Sequence, residues 1–563
     1  MSQSWLTRFI GNRSLVFMRV RQWTIAMVSM GAAVALAGMT QYRPLVYWVS
    51  AAIVLGCAFV LVTGEVGRIG RAHRFRILPP GRGSLGHRQA SDNHRLAALS
   101  ELFAWRWSHW PGSIRYGKVL NEHRIFGFPR RLVVAGPKGD PRHAVTIAGA
   151  RSGKGRAMLV PNLLEYQGSA LVIDPKGQLA AITANARGKG SSRVTQFLGQ
   201  DIHLIDPENI VKDHPVKSSF NPMSDVVESN PLALRFAKII AESLVPQTSG
   251  GDASAEYFQT QARMLLTATI LHVATFEPED LRHLVHVRHL LTVGDLDGLA
   301  VLESSAAQAG VPCPAADGVE ALLIFMSENE AFRGEIQGVA RSLLGKGWDE
   351  RGGVLGAVAN ALSFIGTPGI RELLDGSAGP QLELRALRAR PTTVYVCLSN
   401  TALQREDRGL MLMLLELATV TLEREPRRKG DWPVLIAMDE FYSLGYLKTI
   451  DIGIGAFAGY GILLWPVVQS VTQLQQHYPK TWQNLLANCR AQQYFGQLDP
   501  ETHEYLSQRV AGIYSKVDLS SSFFSTDDRR QIVTFADRPA SLLQLTYYDE
   551  EYGTNRYDID PYL

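Results

Sequence analysis

One glycine-rich segment constrains the fold of this chain more than any other feature. Residues 143–147 read HAVTI, a run of β-forming residues, and the segment that follows, Ala148–Gly155, reads AGARSGKG. Backbone N–H groups of such a turn, together with the positive end of a following helix, can surround a polyphosphate. Lys154 can then reach the β- and γ-phosphates. The sequence therefore predicts a strand, a phosphate-binding loop and a helix, the nucleotide-binding unit of an α/β protein.

The segment departs from the consensus GxxxxGK[ST] at both ends. Ala148 stands where the first glycine is expected, and Gly155 replaces the serine or threonine whose hydroxyl binds Mg²⁺. A glycine–lysine pair in an ordinary loop is the alternative interpretation. If the loop binds a nucleotide, we expect its phosphates to contact Gly149, Ala150, Arg151, Ser152, Gly153, Lys154, Gly155 and Arg156.

A second apolar run ends in two carboxylates. Residues 432–438 read WPVLIAM, which is typical of a buried parallel strand, and Asp439 and Glu440 follow directly. Burying two carboxylates is unfavourable unless they have partners or a function. We expect Asp439 to hold Mg²⁺ and Glu440 to orient or deprotonate the attacking water. A solvent-facing acidic pair at the end of a strand is the alternative.

Three further runs are typical of parallel strands: 169–173, 391–398 and 461–468. The first is followed by Asp174 and the last by Gln469. Polar groups that follow parallel strands lie at the ligand-binding edge of an α/β sheet. Gln469 is therefore predicted to sense the γ-phosphate or its water, although a glutamine that merely begins a helix would give the same pattern.

Two uncharged apolar runs open the chain, at about 23–39 and about 45–62. Each approaches the ~17–25 residues that a membrane helix needs. Four arginines lie within 8–21 and four within 68–76, but only Arg43 lies between the runs, so both ends should be cytoplasmic. The pattern predicts a transmembrane hairpin with the bulk of the chain in the cytoplasm. A cleaved signal peptide and a buried soluble hairpin are the alternatives.

Composition sets wider limits. With 563 residues the chain exceeds one ordinary domain, and its 46% hydrophobic content is that of a folded protein. A net charge of +4 neither favours nor excludes binding of nucleic acid, because a value for the whole chain averages over local charged patches. The four cysteines lie far apart, without the spacing of a zinc site.

Short motifs in chain order resemble those of the type IV coupling proteins, the TraG/TraD-type ATPases of conjugation and type IV secretion. After the loop come VPNLL at 160–164, VIDPKG at 172–177, NPM at 221–223, PTTVY at 391–395, MDEF at 438–441, AGYGI at 458–462, LAN at 486–488 and FG at 495–496. The ordered set is far more specific than any one member, and it covers most of the chain. A glycine after the motif lysine is common in that family.

The resemblance implies a RecA-like P-loop nucleotide-binding domain with an inserted all-α domain and an N-terminal two-helix transmembrane anchor. Between Asn221 and about Leu384 strand signals fade and helical periodicity dominates, as at 232–244 and 258–273. We therefore expect the anchor at 1–70, the first part of the nucleotide-binding domain at 71–225, the all-α domain at 226–375, and the second part with a short tail at 376–563.

The resemblance also implies an ATPase that uses ATP and Mg²⁺ and assembles as a hexamer at the bacterial inner membrane. Such proteins bring relaxase-bound single-stranded DNA or effector proteins to the components of a type IV secretion channel. A nucleotide-stabilised receptor or scaffold with little hydrolysis, and a motor that pumps double-stranded DNA, are the alternatives.

Three features depart from the family or stay open. Some relatives carry an arginine finger about a dozen residues before the sensor glutamine, whereas residues 455–461 contain no arginine, and Arg490 is one substitute among several. Basic residues between Lys118 and Arg131 could face DNA or form a collar near anionic lipid. The acidic, tyrosine-rich end, 547–563, either packs on the motor or docks a partner.

Overall fold

A computed structural model describes most of the chain from residue 114 onwards. The described residues are 114–119, 133–135, 140–212, 217–246, 253–404, 408–425, 427–428, 430–510, 529–537 and 540–562. The hairpin expected within residues 1–70 lies outside them, as do most of the basic residues between Lys118 and Arg131. Across the ranges just given, no helix is both long enough and apolar enough to cross a membrane.

Within these ranges, eleven strands form one mixed sheet. They are β1 (Arg115–Val119), β2 (Val133–Ala135), β3 (His143–Ala148), β4 (Ala170–Ile173), β5 (Asp201–Ile205), β6 (Thr392–Val396), β7 (Val434–Met438), β8 (Ile462–Val468), β9 (Cys489–Phe495), β10 (Arg530–Phe535) and β11 (Ser541–Gln544). The order across the sheet is β2-β1-β11-β10-β9-β3-β8-β7-β4-β6-β5. The strands from β9 to β5 in this order pair in parallel, and β10, β11, β1 and β2 extend the sheet with antiparallel pairs.

The central strands are buried along their whole length. Every residue of β3, β4, β6, β7 and β8 is buried. Parallel strands covered on both faces are expected to be apolar throughout, and this is why these five could be predicted from apolar runs. Their bounds differ from the prediction by one or two residues, as where β7 begins at Val434 instead of Trp432.

Helices connect the strands. A π-helical turn, Gly155–Leu159, leads into α1 (Val160–Glu165), and α2 (Gln178–Arg187) follows β4. The helices between β5 and β6 are α3 (Ala233–Leu244), α4 (Ala253–Phe276), α5 (Leu284–Thr292), α6 (Leu296–Ala309), α7 (Gly318–Glu328), α8 (Glu335–Leu344), α9 (Trp348–Ala361), α10 (Pro368–Asp375) and α11 (Ala386–Ala389). The later ones are α12 (Asn400–Leu403), α13 (Arg408–Arg424), α14 (Lys448–Phe457), α15 (Val471–His477), α16 (Trp482–Asn488), α17 (Pro500–Arg509) and α18 (Tyr548–Glu551).

The long helical segment leaves the sheet after β5 and returns to it before β6 at one narrow neck. At this neck Ser219 N–H donates to the Pro380 carbonyl over 3.0 Å, and Leu382 N–H donates to the Ser219 carbonyl over 2.8 Å. A second attachment is formed by α3, which packs against both α4 and α13. The segment is therefore an insertion into the sheet domain, and the neck and the contact between α3 and α13 are two of the places where it is attached.

Candidate functional site

The order of the strands brings the predicted site residues to one edge of the sheet. Strand β8 lies between β3, which precedes the glycine-rich loop, and β7, which precedes Asp439. Since these strands are parallel, their carboxyl ends meet at the same edge. The loop, Gln469 and the pair Asp439–Glu440 consequently form one site.

The loop begins at Gly149, one residue later than the consensus suggests. Ala148 is the last residue of β3, fully buried and paired with Phe495 of β9. A Cβ atom at Gly149 would lie 1.9 Å from the carbonyl oxygen of Gln497, so only glycine fits there. The alanine at 148 is thus a strand residue, and the glycine needed for close backbone packing is Gly149.

The loop is closed by local contacts and leads directly into a helix. Ser152 Oγ donates to the Gly149 carbonyl over 2.7 Å, and Gly153 adopts a φ of +80°. Ala157 N–H donates to the Gly153 carbonyl over 2.8 Å, which is a first helical hydrogen bond. The first turn of a helix leaves N–H groups without intrahelical partners, and here that turn directly follows the loop, where such groups can bind phosphate.

Three predicted catalytic side chains meet at this edge. The Nζ atom of Lys154 lies 3.6 Å from Oε1 of Glu440, and Gln469 Nε2 donates to Oε2 of Glu440 over 3.2 Å. Side-chain exposures of 11% for Lys154 and 16% for Glu440 leave both groups accessible to a small ligand but mostly shielded from water. Glu440 also has a left-handed backbone, φ 57° and ψ 49°, which non-glycine residues rarely adopt outside functional sites.

Asp439 lies beside this group in a poorly solvated position. Burial and the neighbouring Glu440 carboxylate raise its pKa to about 6, against the opposing effects of Lys154 and Lys176. An anion held at such a cost is a suitable ligand for a divalent cation, which would neutralise it. Across the described ranges no cluster of three or more His, Cys, Asp or Glu side chains that could hold a metal ion is present.

Asp174, at the end of the neighbouring strand β4, is fully buried. Its Oδ2 accepts from Ala180 N–H over 2.8 Å and so caps α2, whereas Oδ1 has no hydrogen-bond partner. Burial, with a further contribution from Asp439, raises its pKa to about 7. The position at the strand end was predicted, but the capping role could not be, because it depends on where α2 begins.

The C-terminal segment supplies contacts that sequence reasoning missed. Arg156, just after the loop, donates through Nε to Oδ1 of Asp549 over 2.7 Å and pairs with its second oxygen through Nη2. Tyr547 packs against Gly153. Lys118, for which contact with DNA or lipid was considered, pairs with Glu551 over 2.8 Å. The acidic end therefore packs on the nucleotide-binding domain.

Arg490, one substitute for an arginine finger, is held in ion pairs within its own chain. Its side chain is 3% exposed and pairs with Asp140 and with Asp537, the latter over 3.3 Å. It also lies near the start of β9, at the opposite end of that strand from the loop. These ion pairs would have to break before Arg490 could reach a neighbouring subunit, which argues against this substitute.

Comparison with known proteins places the chain among transfer proteins of bacteria. The model of a family described as Type IV secretory system Conjugative DNA transfer matches residues 97–543. The chain is 24% identical over 454 residues to Protein VirD4 of Agrobacterium fabrum (strain C58 / ATCC 33970), covering 78% of this chain and 61% of VirD4. It is 24% identical over 423 residues to the Conjugal transfer protein TraG of Escherichia coli, covering 72% of this chain and 58% of TraG. It therefore spans about 60% of the length of these relatives.

Solved structures share the fold. The bacterial conjugative coupling protein TrwBdeltaN70, in complex with sulphate, gives a TM-score of 0.54 at 16% identity and covers 84% of this chain and 99% of its own. The plasmid coupling protein TrwB in complex with ADP and Mg²⁺ gives 0.51 at 16% identity, covering 80% of this chain and 99% of its own. The fold is thus α/β and similar to that of TrwB.

Proposed function

The chain belongs to the family of type IV secretory system conjugative DNA transfer proteins, and we propose that it is a coupling ATPase, which hydrolyses ATP to drive macromolecules into a type IV secretion channel. The observation that carries this proposal is the meeting of Lys154, Glu440 and Gln469 beside a glycine-rich loop. The structure of TrwB with ADP and Mg²⁺ supports the choice of ligand.

Binding of ATP would rearrange the contact between Lys154 and Glu440. The ammonium group of Lys154 lies 3.6 Å from a carboxylate, a weaker partner than a triphosphate with several negative charges. With ATP in the loop, Lys154 turns to the β- and γ-phosphates, as in other phosphate loops. Glu440 is then released from the lysine and retains its hydrogen bond to Gln469.

The freed Glu440 is the group that acts on water. Its carboxylate lies next to the expected position of the γ-phosphate, where it can accept a proton from the attacking water. Gln469 holds this carboxylate through Nε2 and can present its own oxygen to the same water. Lys154 balances the negative charge of the transferred phosphoryl group.

Asp439 is the residue that we assign to Mg²⁺, because a cation would stabilise its poorly solvated carboxylate beside the phosphate loop. When bound, Mg²⁺ supplies charge neutralisation to the β- and γ-phosphates. Gly155 offers no hydroxyl for the ion, so the protein contribution would come chiefly from Asp439.

The assembly, location and cargo of the whole protein are proposed from the family to which the chain belongs. We propose a hexamer at the bacterial inner membrane, anchored by a transmembrane hairpin within residues 1–70, with the rest of the chain in the cytoplasm. The helical insertion would contact the cargo, which is relaxase-bound single-stranded DNA or an effector protein, and pass it to channel components. Its many exposed apolar side chains, such as Trp348 at 64%, are suited to such contacts.

The first test replaces the phosphate-binding lysine. Lys154→Ala should abolish ATP hydrolysis and weaken binding of a fluorescent ATP analogue, while Lys189→Ala, at an exposed position, serves as control. ATP hydrolysis by Lys154→Ala at the rate of the parent would show that the loop is not catalytic.

A second variant separates binding from hydrolysis. Glu440→Gln keeps a side chain of the same size but cannot accept the proton, so it should retain ATP and turn it over at least ~100-fold more slowly. Normal turnover, or failure to retain ATP, would contradict the role given to Glu440. The cargo is then identified by mass spectrometry and nucleic-acid analysis of material that copurifies with Glu440→Gln from membranes.

A receptor that binds ATP without turning it over is the second candidate function. It is favoured by the absence of any arginine within residues 455–461, where some relatives place the residue that reaches a neighbouring subunit. Negligible ATP turnover by the assembled full-length protein, with cargo and channel components present, would favour the receptor over the motor.

A further inference from the structure

A cavity of about 610 Å³ lies where the helical insertion meets the sheet domain. Its volume is within the roughly 300–1,000 Å³ that is usual for ligand sites. One wall comes from the insertion and is formed by the end of α3, by α4 and by the end of α9. The other wall comes from the sheet domain and is formed by α12, the start of α13, the 3₁₀ turn Phe441–Leu444 and the end of α15. An occupant would therefore contact both parts of the molecule.

The lining of the cavity combines apolar and polar groups. Leu244, Leu403 and Leu412 contribute buried aliphatic side chains. Asn360 and Gln404 contribute exposed amides, which can donate to the carbonyls of a peptide backbone and accept from its N–H groups. This combination suits an extended peptide that carries apolar side chains.

Arg408 gives the cavity its charge. Among the described lining residues it is the one that is charged at neutral pH. Its guanidinium lies on the backbone of Gly445, where an added Cβ would be 2.7 Å from Nη2, and Nη2 donates to the Tyr446 carbonyl over 3.2 Å. Its Nε atom has no hydrogen-bond partner, and within the described ranges the guanidinium forms no ion pair.

This cation is poorly solvated and has no neighbouring countercharge. Burial lowers the pKa of Arg408, an effect that a carboxylate beside it would oppose. Burial and then the charge of Arg408 lower the pKa of His477 as well, so this second lining residue is neutral at neutral pH. The cavity therefore favours an occupant with an anionic group.

The turn that forms part of the wall directly follows a catalytic residue. Tyr442 and Ser443 line the cavity, and Ser443 N–H donates to the Glu440 carbonyl over 2.8 Å. An occupant that contacts this turn would act on the backbone that holds Glu440 in its left-handed conformation. The cavity thus connects the insertion with the site of ATP hydrolysis.

We propose that this cavity binds an acidic peptide segment of a cargo protein, with a carboxylate of the segment paired with Arg408 and an apolar side chain packed on Leu403 and Leu412. A carboxylate is the natural partner of a guanidinium that has none, and the pair would be a charge-assisted hydrogen bond. The inference rests on the proposed transfer function, which makes a cargo protein the partner expected at the insertion. Binding in the cavity does not involve the phosphate loop, so it can be measured without nucleotide.

The test compares two tripeptides that are blocked at both ends, leucine–glutamate–leucine and leucine–glutamine–leucine. Their affinities for the full-length protein in detergent are measured by ligand-observed NMR in the absence of nucleotide. The parent should bind the glutamate peptide roughly tenfold more tightly, as one hydrogen bond between charged groups predicts. In Arg408→Gln this preference should disappear. Arg424→Gln, which changes an exposed arginine at the other end of α13, should keep it.

A second pair of variants tests the location. Ala357 lines the cavity on α9, so the ring in Ala357→Phe should occupy part of it and weaken the binding of both peptides. Ala359→Phe, at an exposed position of the same helix outside the cavity, should bind both peptides like the parent. Circular dichroism checks that each variant is folded.

Three results would overturn the proposal: equal affinities of the two peptides for the parent, a preference for glutamate that survives in Arg408→Gln, or binding that is insensitive to Ala357→Phe. Binding of single-stranded oligothymidine that depends on Arg408, without binding of the glutamate peptide, would assign the cavity to DNA and overturn it too. ATP hydrolysis by the parent, with Lys154→Ala as reference, is measured in parallel. A parent that binds the glutamate peptide but hydrolyses no ATP would contradict only the proposed ATPase, and one that hydrolyses ATP but binds neither peptide would contradict only this inference.

Discussion

At the scale of residues, Glu440 shows how the backbone aims a functional group. Its left-handed conformation costs an L-residue about 1–2 kcal/mol, yet it turns the carboxylate toward Lys154 and Gln469. The sequence predicts a site that contains Asp439, Glu440 and Gln469, because these residues follow buried apolar runs. Their mutual contacts could not be predicted, since these depend on the backbone conformation at 440.

Gln469 acts by holding the carboxylate of Glu440, and a prediction follows from this contact. Gln469→Ala should lower kcat by about ten- to a hundredfold through misplacement of the base, with little change in ATP affinity. Steady-state hydrolysis and direct ATP binding are measured together. Gln476→Ala, whose partner is the Tyr442 hydroxyl at 2.9 Å, should behave like the parent. A raised KM with unchanged kcat would instead assign Gln469 to nucleotide binding.

Asp174 should make the stability of the nucleotide-free protein depend on pH. Burial raises its pKa from the usual 3.8 to about 7, so between these values the folded chain binds more protons than the unfolded chain. The free energy of unfolding therefore falls as the pH rises from about 4 to 7, because Asp174 must lose its proton in a buried position. Asp174→Asn can still cap α2 through its amide oxygen and has no charge to desolvate.

The asparagine variant should therefore be more stable than the parent at pH 8, and the difference should shrink toward pH 4.5. Thermal unfolding without nucleotide at a series of pH values measures this. If the unfolding temperatures of parent and variant change with pH in the same way, Asp174 is not the source of the pH dependence of stability.

At the scale of elements, Arg187 joins two helices and two strands. It is fully buried and donates to the carbonyls of Leu163 and Tyr166 at the end of α1 and to that of Gly168 before β4. Its Nε also donates to Oγ1 of Thr393 in β6 over 2.7 Å. The helix that carries the phosphate loop is thereby fixed to the sheet. A lone arginine at the end of α2 gives no sign of this in the sequence.

Arg187→Met should destabilise the protein by roughly 3 kcal/mol or more, because the buried carbonyls of Leu163 and Tyr166 lose this donor and that of Gly168 keeps only Gln200 Nε2 at 3.3 Å. Arg193→Met, in which an exposed arginine is changed, should stay within about 0.5 kcal/mol of the parent. Urea unfolding of both variants provides the comparison. Equal stabilities would mean that water replaces the guanidinium at these carbonyls.

The sheet shows which elements could be predicted and which could not. Five of the seven described parallel strands, β3, β4, β6, β7 and β8, were predicted from mostly apolar runs, which burial on both faces favours. The other two, β5 and β9, were missed because they read DIHLI and CRAQQYF and carry charged and polar residues. The antiparallel strands β1, β2, β10 and β11 were not predicted either, since they are short and partly polar: β10 reads RQIVTF and β11 reads SLLQ. The placement of β8 between β3 and β7 is a long-range property with no local signal, although it assembles the site.

At the scale of the whole molecule, the helical insertion and the sheet domain are joined at the neck formed by Ser219 and the segment 379–382. A second contact, between α3 and α13, makes the insertion part of the same folded unit. The neck is the place where both chain segments that connect the insertion to the sheet lie side by side. Disturbing the neck alone should weaken the mechanical link while leaving the catalytic side chains in place.

Gly379→Ala tests this link. An added Cβ would lie 2.1 Å from the carbonyl oxygen of Lys217, so the two crossing chains must separate and the hydrogen bonds of Ser219 must distort. We expect a loss of roughly 1–3 kcal/mol in unfolding free energy. Because the neck helps the two parts unfold together, hydrogen–deuterium exchange read separately for the insertion helices and for the central strands should report separate transitions in the variant. Gly338→Ala, within α8 and with no atom near the added carbon, should unfold in one transition and gain up to about 1 kcal/mol. Coincident transitions with unchanged stability in Gly379→Ala would show that other contacts, such as that between α3 and α13, are enough to unite the two parts.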